Sequence, residues 1–354
     1  MYMVNKHNIK PKIHPETING INKKVVIIIP FSILNKFVLE SIRGCLNLNY
    51  QNYIIVLGPD KEINLPQEIN KEKIKIVSTG DFTIAKKRNI LINSEEADYY
   101  AFIDSDAFPK KEWLSSGINK FSEKIGAIGG PNICPPKEKV KEKAVGNSLK
   151  SFLVSGTKSF RKKISKSHYC TDLPTCNLIV KKETIKKLNG FNEKLITGED
   201  IDLCNRIIKN KEKIYFNKET IVFHHNRTLF KPYFFQRVTY GLSIFRLFKK
   251  DPRISNLYYF TPLLMLFFII FGLIFSFINT TIRNIWLSIL IIYLIISLIE
   301  AVRYSSKISE IPHTLLALII GNLAPGIGSL MILLNIKINV KEIYKNFQKE
   351  DKLK

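Results

Sequence analysis

The chain reads as an α/β protein built on a mainly parallel sheet, followed by an interfacial helix and C-terminal transmembrane helices. Three observations give this class. Short β-branched or aromatic runs alternate with segments of helical period from residue 25 onward. An amphipathic, aromatic-rich stretch follows at residues 229–250. Long uncharged stretches then occupy most of residues 258–336.

The strand-like runs are VVIIIP (Val25–Pro30), YIIVLG (Tyr53–Gly58), IKIVS (Ile74–Ser78), YYAFID (Tyr99–Asp104) and IGAIGG (Ile125–Gly130). Each ends in or near Gly, Pro, Ser or Asp, as buried strands do when they reach a turn. Segments of helical period lie between them at Asn35–Leu48, Ile84–Asn93 and Lys111–Phe121. Alternation of this kind implies right-handed βαβ units, with ligands bound at the carboxyl ends of the strands. Residues 131–167 read as a loop. Beyond them come a strand at Asn177–Val180, helices at Glu183–Leu188 and Asp200–Lys209, and a strand at Lys213–Phe216.

Leu229–Lys250 mixes Phe, Tyr and Leu with Arg237, Arg246, Lys249 and Lys250. This pattern suits a helix lying in a membrane interface, and also an ordinary amphipathic core helix. Tyr258–Ile278 is uncharged over 21 residues, and Asn284–Ile299 is uncharged over 16. Both are expected to span. Ile311–Ile336 is interrupted by Asn322, Pro325, Gly326 and Gly328 and is followed by a basic tail. It is expected to form a third span or, better suited to that tail, a re-entrant hairpin shielded by its neighbours. The division is therefore a polar tail at 1–22, a catalytic-type domain at 23–228, an interfacial helix at 229–257, a membrane region at 258–336 and a basic tail at 337–354. Residues 1–22 carry no apolar run, so the front domain is expected on the cytoplasmic side of a plasma membrane.

Composition narrows the classes. The chain has 354 residues, 54 Lys+Arg against 30 Asp+Glu, and a net charge of +24. A hydrophobic fraction of 45% with 23 Phe and 14 Tyr excludes disorder. The five cysteines are scattered without a C-x-x-C pair, which argues against a zinc site and for reduced thiols. The basic excess fits an anionic membrane surface or phosphate-bearing ligands, and a Lys-, Ile- and Asn-rich composition also raises it. No nucleic-acid-reading module is present, so nucleic acid is not an expected partner.

Three constellations carry chemistry. Asp104-Ser105-Asp106 follows the run YYAFI, so two carboxylates stand at a strand end where they can hold a divalent cation and, through it, a diphosphate. Gly198-Glu199-Asp200 opens a helix. Its acids either cap that helix or present a general base. His224-His225 follows an apolar stretch and can offer a metal ligand or a phosphate contact. No nucleophile elbow or Walker loop appears.

In order along the chain stand Pro30 with Asn35, Asp60, AKKRN with Arg88, FIDSDAFP, IGG, TCNLIVKKETIKKLNGFNE, GED, FHHNRT and QRVTYG. Together these motifs resemble glycosyltransferase family 2, inverting enzymes of the Rossmann-like GT-A fold, over about residues 23–245. The apolar tail with HTLLA and NLAPGIGSL resembles the membrane-anchored, succinoglycan-synthesis-like branch. The resemblance implies a nucleotide-diphosphate sugar donor, a hydroxyl acceptor on a lipid-linked or surface glycan, and Mg2+ or Mn2+ as cofactor. It places Pro30, Asp60, Arg88 and Asp104 at the nucleotide and Asp106 with His224 at the metal. Asp200, with Glu199 beside it, becomes the base, and Gln236, Arg237 and Tyr240 close the acceptor or diphosphate region. The sequence departs from the family where the second strand ends Gly58-Pro59-Asp60 and where no Q-x-x-R-W signature appears. Two alternatives are a polyprenyl-phosphate glycosyltransferase, whose anionic acceptor needs no base, and a non-catalytic membrane-tethered binding module.

Overall fold

The computed structural model describes residues 23–195, 197–250 and 260–336. The expected polar N-terminal tail, the end of the interfacial helix and the basic tail lie outside the described residues, as do the side chains of residues 244–250.

The front domain begins β1 (Val25–Pro30), α1 (Lys36–Leu46), β2 (Tyr53–Gly58), β3 (Ile74–Ile76), α2 (Ile84–Ser94) and β4 (Tyr99–Phe102). The first four strands pair in parallel in the order β3-β2-β1-β4. Val25, Ile27 and Ile29 face one apolar layer while Val26 and Ile28 face the other. Both faces are covered, which is why these strands read as unbroken apolar runs. Helix α1 is started by Asn35, whose side-chain oxygen accepts the amides of Phe37 and Val38 at 3.0 Å. A cap of this kind is worth about 1 kcal/mol.

After β4 the chain forms β5 (Ala107–Pro109), α3 (Trp113–Ile118), β6 (Ile125–Gly129) and β7 (Asn132–Ile133). Residues 131–167, expected as a loop, are largely ordered as α4 (Val140–Lys150), the single turn α5 (Phe152–Ser155) and a 3-10 turn at Gly156–Lys162. The cause is tertiary. Helix α4 turns Val145 and Ser148 into contact with the C-terminal helices, which local periodicity does not reveal. The domain closes with β8 (His168–Cys170), β9 (Leu178–Lys181), α6 (Lys182–Lys187), α7 (Glu199–Lys209), β10 (Lys213–Phe216) and β11 (Val222–His224).

The large sheet has eight strands in the order β3-β2-β1-β4-β9-β6-β10-β8, with β9 antiparallel to both neighbours and β8 antiparallel to β10. Its seam is held by Asn177, whose amide donates to Pro131 O at 3.0 Å and Thr220 O at 2.8 Å while Trp113 Nε1 donates to its oxygen. A Cβ at Gly130 would stand 2.2 Å from Thr220 O, so the paired glycines of IGG are a packing requirement. A second sheet of three strands, β5-β11-β7, sits at the carboxyl end of β4.

The tail comprises α8 (Lys231–Lys250), α9 (Thr261–Ser276), α10 (Thr280–Tyr304) and α11 (Ile311–Leu333). Helices α10 and α11 are long and apolar enough to cross a membrane. Helix α9 has 16 residues, about 24 Å at 1.5 Å per residue, which falls short of a full span. Helix α10 leaves Ile285, Ile292, Ile295 and Ile299 exposed, whereas α11 is half covered by α8, α9 and α4.

Of the two forms expected for Ile311–Ile336, the broken hairpin does not form: α11 runs continuously through Pro325, as a span would. Proline removes the amide that would bond the carbonyl four residues earlier, here that of Gly321. Arg237 of α8 supplies the missing donors. Its Nη2 and Nε reach Gly321 O at 3.0 and 3.3 Å, and Nη2 also donates to Val154 O at 3.4 Å. Close approach of α8 to α11 permits this, since a Cβ at Gly241 would stand 1.9 Å from Pro325 O. Small residues at such crossings are the usual device of helices packed within a membrane.

Arg237→Met should therefore lower stability in detergent by about 1–3 kcal/mol, the cost of a buried acceptor left unpaired. Pro325→Ala added to that variant restores an amide for Gly321 O, so thermal unfolding should recover most of the loss. Equal melting of the single and double variants would contradict this account.

Candidate active site

The site forms where the ends of β1, β2 and β4 meet the three-stranded sheet. Asp104-Ser105-Asp106 links β4 directly to β5. Antiparallel pairing of β11 with β5 sets His224 opposite Ala107, beside Asp106. The amide of His225 then donates to Asp106 O at 3.0 Å, and His224 Nε2 lies 3.2 Å from Asp106 Oδ1. Arg227 Nη2 approaches the other carboxylate oxygen at 3.5 Å. Burial works to raise the Asp106 pKa, but His224, Arg227 and His225 together hold it well below the usual carboxylate range.

Helix α2 contributes Lys87 and Arg88, both buried. Arg88 Nη1 donates to Glu199 Oε1 at 2.7 Å and Nη2 to Asp104 Oδ1 at 3.0 Å. Burial opposes the guanidinium charge, and Glu199 and Asp104 more than restore it, raising its pKa. Asp104 shifts upward, with burial and the Asp106 charge outweighing Arg88. Gly198, at φ +79°, makes the left-handed turn that delivers Glu199 and Asp200 at the head of α7. Only glycine takes that conformation without strain.

The structure thus separates residues the sequence grouped. Glu199 is committed to Arg88 and is a pin. Asp200 is half-buried, accepts the amide of Ile201 at 2.8 Å and has no ion-pair partner among the described residues. Asp60 is tied to Lys87, whose Nζ also donates to Phe31 O at 3.0 Å, next to Pro30. Asp104, Asp106, His224 and Arg88 lie close together. Arg237 does not reach them, because the Gly321 carbonyl occupies it, and Tyr240 lies under its guanidinium at 5.4 Å. Gln236 shares that helix and holds Thr239 Oγ1 at its own carbonyl, 2.7 Å away.

Sequence reasoning missed several groups. Cys176 stands with Asp104 and His224, their ligand atoms all within 4.8 Å of one another, a combination no local spacing signals. His225 is clamped by Glu138 at 2.7 Å and Glu40 at 2.8 Å, with Phe37 against its ring. Burial opposes its charge, but the two carboxylates raise its pKa. The cations on the buried face of α2 were a readable signal, since Lys and Arg enter a core only with partners.

A divalent cation fits this constellation. His224 Nδ1 is buried without a hydrogen-bond partner among the described residues, and carboxylate, imidazole and sulfur donors converge near that ring.

A crevice of this kind on a GT-A sheet defines a nucleotide-sugar transferase class of fold. Residues 26–188 match the glycosyl transferase family 2 model, and residues 157–228 match the N-terminal domain of galactosyltransferase. Over residues 26–188 the front domain is similar to glycosyl transferase family 2. A pre-mycofactocin glycosyltransferase from Mycobacterium tuberculosis is 27% identical over 168 residues, covering 48% of this chain. The chain spans only about a third (35%) of that relative's length. A dolichyl N-acetyl-alpha-D-glucosaminyl phosphate 3-beta-D-2,3-diacetamido-2,3-dideoxy-beta-D-glucuronosyltransferase from Methanococcus voltae is 22% identical over 302 residues, covering 81% of this chain and 89% of its own. Among solved structures, the mannosyltransferase PcManGT from Pyrobaculum calidifontis, in complex with GDP-Man and Mn2+, aligns with a TM-score of 0.50 at 11% identity. It covers 97% of this chain and 84% of its own, a likeness of fold.

Asp106→Ala should weaken Mn2+ binding at least tenfold, as loss of a charged group at the metal site predicts. Titration followed by electron paramagnetic resonance of free Mn2+ checks this without turnover. Unchanged affinity would remove Asp106 from the metal site.

Proposed function

We propose that this protein is a membrane-bound inverting glycosyltransferase that moves a sugar from a nucleotide-diphosphate sugar to a hydroxyl of a lipid-linked or surface glycan. The observation that carries this reading is the convergence of Asp104, Asp106 and His224 in one crevice with Asp200, a carboxylate that has no ion-pair partner among the described residues. Pro30, Asp60 and Arg88 border the nucleotide end of that crevice. The relative from Methanococcus voltae bears a name describing transfer to a lipid-phosphate-linked sugar, which supports an acceptor of that type. Exposed apolar residues on α10 support a membrane location, because Ile285, Ile292, Ile295 and Ile299 form a face that water does not favour.

The chemistry follows from the positions. The diphosphate leaving group is oriented by His224 and Arg227 beside Asp106. Asp106 and His224, with Asp104 at hand, would hold a Mg2+ or Mn2+, which would neutralise the charge that develops on that group. Asp200 accepts the proton of the acceptor hydroxyl as its oxygen attacks the anomeric carbon from the opposite face. One displacement inverts the configuration, and no covalent intermediate on the protein is needed. Arg88 holds Glu199 and Asp104 in place through its two hydrogen bonds, so that α7 presents Asp200 at a constant distance from the donor.

Asp200→Asn should bind donor normally while losing transfer by about 10²–10⁴-fold, the scale of a positioned acid–base group. Membranes carrying the protein, supplied with a panel of nucleotide sugars, give the assay through release of nucleoside diphosphate with and without chelator. Wild-type transfer by the Asp200→Asn protein would return Asp200 to helix capping. Absence of any metal-dependent turnover by the wild type would overturn the function itself.

A further inference from the structure

We propose that Lys162 receives a phosphate of the lipid-borne acceptor at the junction between the crevice and the apolar helices. This rests on the proposed transferase reading and specifies how its acceptor is held.

The segment carrying Lys162 is anchored at both ends. At its start, α5 packs on α11, and Val154 gives its carbonyl to Arg237. At its end, the 3-10 turn Gly156–Lys162 packs on α4 and on β7 of the small sheet that holds His224. The segment therefore bridges the helices that leave apolar surface exposed and the sheet that builds the site. Phe152 and Ile164, either side of the turn, are 67% and 61% exposed. Apolar side chains so displayed beside a cation suit a surface where lipid chains meet phosphate headgroups.

Four cations lie close together here, and three are occupied. Lys158 and Arg161 both pair with Asp172, Lys158 Nζ at 3.0 Å from Oδ2, and Arg161 Nη2 also donates to Asp172 O at 2.8 Å. Lys163 Nζ reaches Tyr304 Oη at 3.5 Å on α10. Lys162 alone of the four has neither a hydrogen bond nor an ion pair among the described residues. It is half-buried, and burial lowers its pKa. Its turn packs on β7, where the Asn132 amide donates to Cys176 Sγ at 3.1 Å, so Lys162 lies on the side of the crevice where Asp104, Cys176 and His224 meet. A half-buried ammonium without an anion is costly unless a ligand supplies one. Phosphate oxygens are the natural complement to lysine as a compact point charge. The donor diphosphate is already provided for by Asp106, His224 and Arg227, so the second phosphate-bearing molecule, the lipid-linked acceptor, falls to Lys162.

The test uses the full chain in detergent micelles with Lys162→Gln and Lys162→Arg. Binding of a polyprenyl diphosphate should weaken about tenfold or more in Lys162→Gln, the scale of one charge-assisted hydrogen bond, and Lys162→Arg should recover most of it. Binding of nucleoside diphosphate with Mn2+ should stay unchanged in both. In the transfer assay, the KM for lipid-linked acceptor should rise in Lys162→Gln while the KM for donor stays constant. Equal weakening of nucleoside diphosphate would assign Lys162 to the donor and overturn the proposal, and unchanged binding of both ligands would overturn it too. The binding arms need no turnover, so they judge Lys162 even where an inactive wild type would refute the transferase reading.

Discussion

The buried guanidinium of Arg88 joins three separate parts of the chain. It comes from α2, bonds Asp104 at the end of β4 and bonds Glu199 at the head of α7. An arginine that is 2% exposed cannot shed its charge, so its two carboxylates must stay close to it. Removing one partner of such a pair generally costs about 3–5 kcal/mol, because the other charge is left buried. The spacing between the Asp-x-Asp loop and Asp200 is thus a consequence of one ion-pair hub.

A second constraint acts from the far side. The β5–β11 pairing delivers His224 to Asp106, and His225 faces the other way into Glu138 and Glu40. His224 ends β11 and His225 follows it directly, and their side chains meet different partners, so two neighbouring histidines do two different jobs. One stands among groups suited to a cation. The other ties α1, through Glu40, to the loop ahead of α4. The small sheet is therefore the frame that aligns the donor side of the crevice with the segment leading to the C-terminal helices.

Those helices are integrated with the domain rather than appended to it. Arg237 caps the carbonyl that Pro325 leaves free, and Gly241 lets α8 lie against α11 at that point. Tyr233 and Val145 share an apolar cluster with Ala317, so α4, α8 and α11 form one packed unit. The QRVTYG motif, which looked like part of the reacting site, serves largely to hold this unit together.

Much was determined by the sequence alone. Unbroken runs such as VVIIIP and YYAFI can satisfy their backbone and hide both faces only as central strands of a covered sheet, and an Asp-x-Asp behind such a run has to emerge at its carboxyl end. The apolar lengths of α10 and α11 were legible for the same reason, since composition over about 20 residues is a local property. Tertiary structure decided the rest. Whether Pro325 broke its helix depended on Arg237, some 90 residues away in the chain. Whether Glu199 or Asp200 stayed open depended on Arg88 choosing one of them. Cys176 and Lys162 gained their places only through strand register and the packing of α4. Each of these outcomes turns on a partner distant in sequence, and no local period or spacing encodes which distant partner a side chain will meet.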